Sequence, residues 1–428
     1  MQATSNLATE NLTTRAASHD SALGGLRIID MSGLAGQYCG KMFADLGADV
    51  ILVEPPGGSL TRRDGPFLSA HAHHEMSLTF SYFNSGKRSI VLNLDTAGGQ
   101  MLLRKLVSKS DLLIESERPG VMAARRLDYD SLVSEFPNIV MTSITPFGQT
   151  GPYAHYEAED ITLLALGGLL SLGGYPDTEP IAAYGNQAYL AAAQFAAVAS
   201  LMALFANESC ASPRGRHIDV SIQECVVLGL ENAVQFFDLE NVIRRREGGL
   251  QKLAGMGLFA CADGFIYLMA GGIASSGFWE NTIRWLEEEG VPRAGQLRQS
   301  SWSDHNYLRT DEAKSRFERI FAPFAQEHTK DYLYSNGQEH RIPICPVNTP
   351  KDLIDNKQLL YRGFFSQVEH TFSGRNLTVP GAPYHLSKTP WRSSRASPTL
   401  GQHTAEILSE LGLSSEAQSA LFKSRVVG

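Results

Sequence analysis

Buried-type strands and helical segments alternate regularly over the first half of this chain. The run LRIID at 26–30 passes through the turn GLAG at 33–36 into a helical pattern that stops at Gly47, and DVILVE at 49–54 forms the next strand. Two strands joined in this way make a βαβ unit. The alternation therefore predicts an α/β fold in which helices cover both faces of a parallel sheet.

The same pattern continues toward the middle of the chain. Further strands are expected at 88–94, 111–115, 139–145 and 217–221, with a helix at about 98–109. The uncharged segment 188–206 has about the length of a membrane span. Because it is rich in alanine and lacks basic flanks, we expect a buried helix in a large core and no membrane contact.

A change in composition near Asn241 marks a boundary between domains. RRREGG at 244–249 is a charged, turn-prone break, and LFACADGFIYLMA at 258–270 predicts a hairpin with Asp263-Gly264 as its turn. The expected segments are a disordered tail at 1–23, a large domain at 24–235, a smaller α/β domain at 240–345 and a C-terminal segment at 346–428.

Composition and charge exclude several classes of protein. The formal net charge is −8, with 37 Lys+Arg against 45 Asp+Glu, and no basic stripe carries interleaved aromatic residues, so we expect no nucleic-acid partner. The five cysteines are scattered and odd in number, which argues against a disulfide framework or a zinc site and favours the cytoplasm. The histidine-rich stretch 71–75 is interpreted as a solvated loop, and no metal site is predicted.

Nucleotide motifs are incomplete in this sequence. Glu54 ends the second strand, where dinucleotide-binding folds place an acidic residue that contacts ribose. The turn at 33–40, GLAGQYCG, does not supply G-x-G-x-x-G, so a scaffold role is favoured. Lys87-Arg88 and Arg125-Arg126 lie near strand ends, where they either are solvated or contact a bound anion.

Asp160 is the most informative single residue. It ends the stretch GQTGPYAHYEAED and stands at the mouth of an apolar, glycine-rich run. A carboxylate avoids such surroundings unless it is paired or functional. Asp160 is therefore either the N-cap of a helix or a nucleophile or general base with a tuned pKa.

Ordered motifs along the chain carry a resemblance to a known family. They are DMSGLAG from Asp30, FADLGADVILVEPPGG through Gly58, NSGKRSIVL from Asn84, ESERPGVM from Glu115, SITPFGQTGPY from Ser143, GRHIDVS from Gly215 and, near the C-terminus, IPICPVNTP, RGFF and LGQHTAEILSELGL. The sequence resembles the class III CoA-transferases, a family that also includes the α-methylacyl-CoA racemases. The resemblance implies a Rossmann-like large domain, a smaller domain, a C-terminal segment that returns to the large domain, and two interlinked chains in a homodimer.

The resemblance also implies a chemistry and a nucleophile. In the transferases an aspartate at the position of Asp160 attacks the thioester of an acyl-CoA donor, and a carboxylic acid acceptor finally receives CoA. No metal or redox cofactor is implied, because the coenzyme A thioester is itself a substrate.

Residues expected to contact CoA follow from the same matches. Leu34, Ala35, Leu92 and Ser116 match positions that line the CoA site in the family. Basic residues of the formyl-CoA branch are replaced here by Pro55, Asp95 and Ala124. We expect Lys87, Arg125 or Arg126 to compensate at the CoA phosphates.

Two alternatives stay open at this level. A racemase needs a second acid/base group, which that branch supplies with a histidine about thirty residues before the aspartate; Asp130 stands there in this chain. A non-catalytic acyl-CoA-binding protein would explain the lost basic residues. The sequence leaves open the donor and acceptor acids, the choice between inter- and intramolecular transfer, and the roles of His155 and Glu159.

Overall fold

A computed structural model describes residues 21–69, 73–210, 212, 214–271, 277–391 and 395–428, and most of the predicted tail lies outside these ranges. The described chain forms two compact units. The large unit comprises the residues up to Leu170, Ala183–Gln235 and Leu360–Gly428, and the small unit comprises Ser171–Ala182 and Phe236–Leu359. These boundaries differ from the expected ones in assigning 171–182 and 346–359 to the small unit.

A six-stranded parallel sheet organises the large unit. Its strands are β1 (Arg27–Asp30), β2 (Asp49–Glu54), β3 (Arg88–Val91), β4 (Leu112–Glu115), β5 (Val140–Thr145) and β6 (Arg216–Ser221). Their order in the sheet is β3-β2-β1-β4-β5-β6, and every neighbouring pair is parallel. The predicted α/β fold with a parallel sheet is confirmed. Because β1 lies between β2 and β4, the direction of winding reverses there, and this is where open α/β sheets bind ligands.

Helices connect these strands, and two further helices follow β6. They are α1 (Leu34–Asp45), α2 (Leu78–Phe83), α3 (Ala97–Val107), α4 (Val121–Ala124), α5 (Tyr129–Glu135), α6 (Asp160–Leu166), α7 (Gln187–Glu208), α8 (Ile222–Leu228) and α9 (Ala233–Glu240). The helix expected at 98–109 corresponds to α3. The long segment expected at 188–206 corresponds to α7.

The two faces of α7 have different surroundings. Ala192, Ala196 and Ser200 are fully buried on one face, and the helix packs against α1 and β5. The opposite face leaves large apolar side chains in solvent, among them Met202 and Phe205, the latter 70% exposed. The prediction of a buried helix therefore holds for one face of α7. The helix also passes a length and hydropathy test for membrane spans, a test that core helices of soluble proteins pass as well.

The small unit has its own sheet and core. Its elements are β7 (Met256–Cys261), β8 (Gly264–Met269), α10 (Phe278–Glu288), α11 (His305–Leu308), α12 (Asp311–Glu327), α13 (Lys330–Glu339), β9 (Ile344–Pro346), α14 (Pro350–Ile354) and α15 (Lys357–Tyr361), whose last two residues belong to the large unit. The predicted hairpin is present as β7 and β8. Cys261 pairs with Gly264, so its two-residue turn is Ala262-Asp263, one position earlier than expected. Trp285, Phe317 and Phe321 lie in the core of this unit.

The last part of the chain belongs to the large unit. It contains β10 (Phe365–Glu369), β11 (Asn376–Pro380), α16 (Thr404–Glu410) and α17 (Ser415–Lys423). Ile407 and Leu408 of α16 share an apolar core with Ile29 and Leu113 of the sheet. Val427 forms a bridge with Leu92 beyond the end of β3. β3 is an edge strand of the sheet. The C-terminal residues thus pack at this edge.

Candidate active site

Three of the predicted CoA contacts lie together at the reversal point of the sheet. Leu34 and Ala35 begin α1, directly after β1, and Ser116 follows β4. The Gly33 N–H donates to Ser116 Oγ at 2.8 Å, which joins the two loops. A helix N-terminus at this edge of a parallel sheet presents N–H groups that suit an anionic ligand. The structure therefore brings Leu34, Ala35 and Ser116 into one region.

Asp160 lies at the beginning of two helices. It is the first residue of α6, and the Tyr189 N–H in the first turn of α7 donates to its Oδ1 at 3.1 Å. Only 8% of the residue is exposed. Burial raises the pKa of Asp160 above its usual value, while the backbone N–H groups of Tyr189, Ala188 and Gln187 act in the opposite direction. The carboxylate is thus partly desolvated and held by the N-terminus of a 22-residue helix.

The structure answers whether Asp160 caps its own helix. Glu159 is the N-cap of α6, and its N–H donates to Thr162 Oγ1 at 2.8 Å. The interpretation of Asp160 as the N-cap of the following helix is therefore wrong. Its carboxylate instead accepts N–H groups at the N-terminus of α7, whose own N-cap residue Asn186 makes no side-chain cap. Those N–H groups need an acceptor, and Asp160 supplies one.

A cavity of about 420 Å³ opens beside this aspartate. It is lined by Ser116 and Arg118 from the loop after β4, by His155, and by Glu159 and Thr162 on either side of Asp160. The exposed Arg118 pairs with the exposed Glu157, and both side chains face solvent. The cavity joins the reversal point of the sheet to the neighbourhood of the predicted nucleophile.

Lys87 does not reach this cavity, which contradicts its prediction as a CoA contact. Its side chain is fully buried and pairs with Asp30 at 2.7 Å. The ammonium also donates to the carbonyl of Gln37 and to Asn84 Oδ1 at 2.8 and 2.9 Å. Burial lowers the pKa of Lys87, and Asp30 opposes this shift. With its three N–H groups used inside the protein, Lys87 holds β1, α1 and β3 together.

The remaining predicted contacts have other partners. The Leu92 side chain is buried in the core of the large unit, and its N–H donates to the carbonyl of Glu54 at 2.9 Å, so the structure does not offer Leu92 to a ligand. Arg125 pairs with Asp95 at 2.8 Å and lies 3.7 Å from Glu117. Asp95, which stands where the formyl-CoA branch has a basic residue, therefore pairs with the arginine that was expected to compensate for it.

A group of polar residues near the site was missed in the sequence. Glu115, at the end of β4, is buried, and burial raises its pKa to about 7, against the effects of Ser143 and the Glu117 N–H. Ser143 Oγ lies 2.9 Å from Nε2 of His217, on the neighbouring β6. Burial lowers the pKa of His217. Glutamate at the end of the apolar run DLLIE was the signal that could have identified this group.

These residues line a second, smaller cavity of about 200 Å³, which also contains Asp130 and Gln149. Arg118 borders both this cavity and the larger one. Asp130, the residue at the position of the racemase histidine, lines the smaller cavity, whereas the neighbours of Asp160 line the larger one. The described structure does not place Asp130 in the cavity beside Asp160.

Comparison with known proteins identifies the family. The model of CoA-transferase family III matches residues 23–404. The chain is 39% identical, over 90% of its length and 93% of the relative, to the succinyl-CoA:(R)-benzylsuccinate CoA-transferase subunit BbsE of Thauera aromatica. It is 31% identical, over 91% of its length and 95% of the relative, to the succinate–glutarate CoA-transferase of Agrobacterium fabrum.

A solved structure agrees with the fold. The crystal structure of a CAIB/BAIF family protein from Brucella suis superposes with a TM-score of 0.80 at 26% identity, covering 92% of this chain and all of that chain. The family match extends over both units and most of the C-terminal segment. The chain is therefore an enzyme that belongs to CoA-transferase family III.

Proposed function

We propose that this enzyme transfers CoA between carboxylic acids through covalent intermediates on Asp160. The observation that carries the proposal is the placement of that carboxylate, 8% exposed and bonded to the Tyr189 N–H at the start of α7. A carboxylate with few water contacts is a better nucleophile than a hydrated one. The adjacent N–H groups are available to stabilise an oxyanion.

The first half of the reaction transfers CoA from the donor to Asp160, by way of a transient acyl intermediate. An oxygen of Asp160 attacks the thioester carbonyl carbon, the carbon–sulfur bond breaks, and a mixed anhydride and CoA thiolate result. The thiolate then attacks Cγ of Asp160 and releases the donor as a free carboxylate. The enzyme now carries CoA as a thioester of the aspartyl group.

The second half repeats these steps with the acceptor. The acceptor carboxylate attacks Cγ and displaces the thiolate, which gives a second mixed anhydride. The thiolate attacks the acceptor carbonyl carbon, so the new acyl-CoA leaves and the Asp160 carboxylate is restored. Each step breaks one acyl bond as it forms another, so covalent catalysis divides one difficult exchange into easier steps.

Succinyl-CoA is proposed as the donor, and a substituted dicarboxylic acid is proposed as the acceptor. The names of the relatives support this choice, since they specify succinate or succinyl-CoA together with benzylsuccinate or glutarate. The same names favour transfer over racemisation. Benzylsuccinate is the first acceptor to test because it is named for the relative with 39% identity.

Hydroxylamine trapping tests the covalent route directly. Wild-type protein incubated with succinyl-CoA and then hydroxylamine is expected to carry a hydroxamate on the peptide that contains Asp160, identified by mass spectrometry. The Asp160→Asn protein serves as the control and is expected to remain unlabelled. If the wild-type protein is folded and no acyl-CoA leads to labelling, the covalent route is wrong. The alternative of a non-catalytic acyl-CoA-binding protein would then be favoured.

A homodimer is proposed as the functional state. The exposed apolar face of α7, which includes Val198, Met202 and Phe205, supports an interface, because monomeric proteins rarely leave contiguous apolar patches of this kind in water. Met202→Glu is expected to convert a dimer into monomers in light scattering after gel filtration. Met101→Glu, at another exposed methionine, on α3, is the control. A wild-type chain that is monomeric alone would instead suggest a different partner subunit.

The cytoplasm is proposed as the location of the enzyme. All five cysteines are free thiols, and Cys39 and Cys225 are buried, which suits a reducing compartment. Fractionation of the source cells with an antibody to the protein would test this, and recovery in a membrane or extracellular fraction would contradict it.

A further inference from the structure

A large cleft lies wholly within the small unit. Its volume is about 890 Å³, which is within the range of small-molecule sites. Five basic residues and one acidic residue line it, namely Arg244, Arg246, Lys252, Arg309, Lys314 and Glu247. The chain has a net charge of −8, whereas this cluster of side chains is positively charged. The cleft therefore favours an anionic ligand.

The rest of the lining is largely apolar. Leu250, Leu253, Met256 and Met269 contribute to the same cleft. Methionine side chains adapt to ligands of irregular shape. A purely hydrophilic anion such as phosphate would leave this surface unused, whereas an anion with an apolar substituent would cover it.

Three of the basic residues already have partners within the small unit. Arg246 donates to the carbonyl oxygens of Tyr175 and Thr178, each at 3.0 Å. The Arg244 guanidinium lies 3.7 Å from the centre of the Phe236 ring. Lys252 pairs with Glu247 at 2.5 Å. These three residues shape the cleft and contribute to its field.

Arg309 and Lys314 are better placed to bind a ligand. Arg309 is exposed at the end of α11. The Lys314 ammonium lies 3.6 Å from Asp311, whose side chain is fully exposed, so water screens this pair. Both side chains can turn toward an anion without giving up a buried contact.

We propose that this cleft binds the acceptor acid, as a dicarboxylate that carries an apolar substituent. Arg309 and Lys314 bind the carboxylate that does not react, through charge-assisted hydrogen bonds, and the apolar substituent covers Leu250 and Met256. The inference rests on the proposed function, because it takes the ligand to be the acceptor in CoA transfer. It assigns recognition of the acceptor to residues other than those around Asp160.

Calorimetric titration of the full-length wild-type protein with benzylsuccinate, without any CoA compound, tests the proposal. Lys314→Gln and Arg309→Gln are each expected to weaken binding about tenfold, since each removes one charged hydrogen-bonding partner. Succinate is expected to bind at least about tenfold more weakly than benzylsuccinate, because it lacks the apolar ring that leaves water.

Arg319→Gln provides a matched control. Arg319 is exposed on α12, the helix that carries Lys314, and it is not among the residues that line the cleft. Its substitution is expected to leave the affinity unchanged. Equal affinities for wild type, Lys314→Gln and Arg309→Gln would overturn the proposal, as would an absence of benzylsuccinate binding at millimolar concentration.

Competition identifies the class of anion. Phosphate and adenosine 3′,5′-bisphosphate are expected to displace benzylsuccinate poorly. Tighter binding of either compound, with loss in the same two variants, would make the cleft a phosphate site and overturn its assignment to a dicarboxylate.

The trapping experiment separates this inference from the proposed function. Asp160 could be labelled by succinyl-CoA while the affinity for benzylsuccinate is the same in wild type, Arg309→Gln and Lys314→Gln. That result would overturn only the cleft assignment. Binding that depends on both residues in a protein that is never labelled would overturn only the covalent route.

Discussion

Replacing Asp160 with asparagine is expected to slow CoA transfer from succinyl-CoA by at least about a thousandfold, because the nucleophile is lost. Asparagine has nearly the same shape and keeps a carbonyl oxygen that can accept the Tyr189 N–H, which lies 3.1 Å from Asp160 Oδ1. The fold and the oligomeric state should therefore be unchanged. The rate is measured by following acyl-CoA exchange by chromatography, and the fold by circular dichroism and gel filtration.

Glu159→Gln is the matched control for this substitution. Glu159 is the adjacent carboxylate and lines the cavity beside Asp160, but it is exposed and forms the N-cap of α6. We expect the Glu159→Gln variant to keep its rate within about tenfold of wild type. A larger loss in Glu159→Gln than in Asp160→Asn would move the nucleophile to Glu159.

Replacing Lys87 with methionine is expected to lower the free energy of unfolding by about 3–5 kcal/mol, because it leaves Asp30 charged and buried without its partner. The pair is fully buried, with 2.7 Å between Nζ and Oδ2. Methionine fills most of the volume of lysine, so the loss measures the missing charge more than a cavity. Urea unfolding followed by tryptophan fluorescence and circular dichroism provides the measurement.

Lys105→Met is the control, since Lys105 is exposed on α3 of the same unit. Its free energy of unfolding should stay within about 0.5 kcal/mol of wild type. If Lys87→Met were as stable as wild type and instead raised the KM for succinyl-CoA, the sequence-based assignment of Lys87 to the CoA phosphates would be restored.

The architecture of the sheet was predictable because its strands are continuous apolar runs, as strands covered on both faces should be. DVILVE coincides with β2 at both ends. Strand ends that depend on other parts of the chain were less accurate. The third strand was expected to reach residue 94 but ends at Val91, and Leu92 beyond it bridges to Val427.

The sequence indicated a helix near Asp160 but not the electrostatic surroundings of that residue. One interpretation made Asp160 the N-cap of a helix; a helix does begin there, but its N-cap is Glu159. Its bond to Tyr189 joins residues 29 positions apart, so no local pattern could reveal it. Lys87 was expected to be solvated or to contact a bound anion, whereas its partner is Asp30, which lies 57 positions earlier. Charge pairing of this kind is decided by the tertiary fold.

The contribution of the C-terminal residues to the large unit bears on the order in which the protein folds during synthesis. Asn93 donates to the carbonyl of Val426 at 2.9 Å, and Leu408 lies in the same core as Leu113. The core of the small unit, by contrast, is complete once residue 344 has been made. A ribosome synthesises the chain from its N-terminus. The strands of the large sheet are therefore made first, and their contacts with residues 408–427 form only after those residues have been synthesised. The small unit can fold in the meantime, so the large unit is the part of the nascent chain that exposes apolar surface for longest.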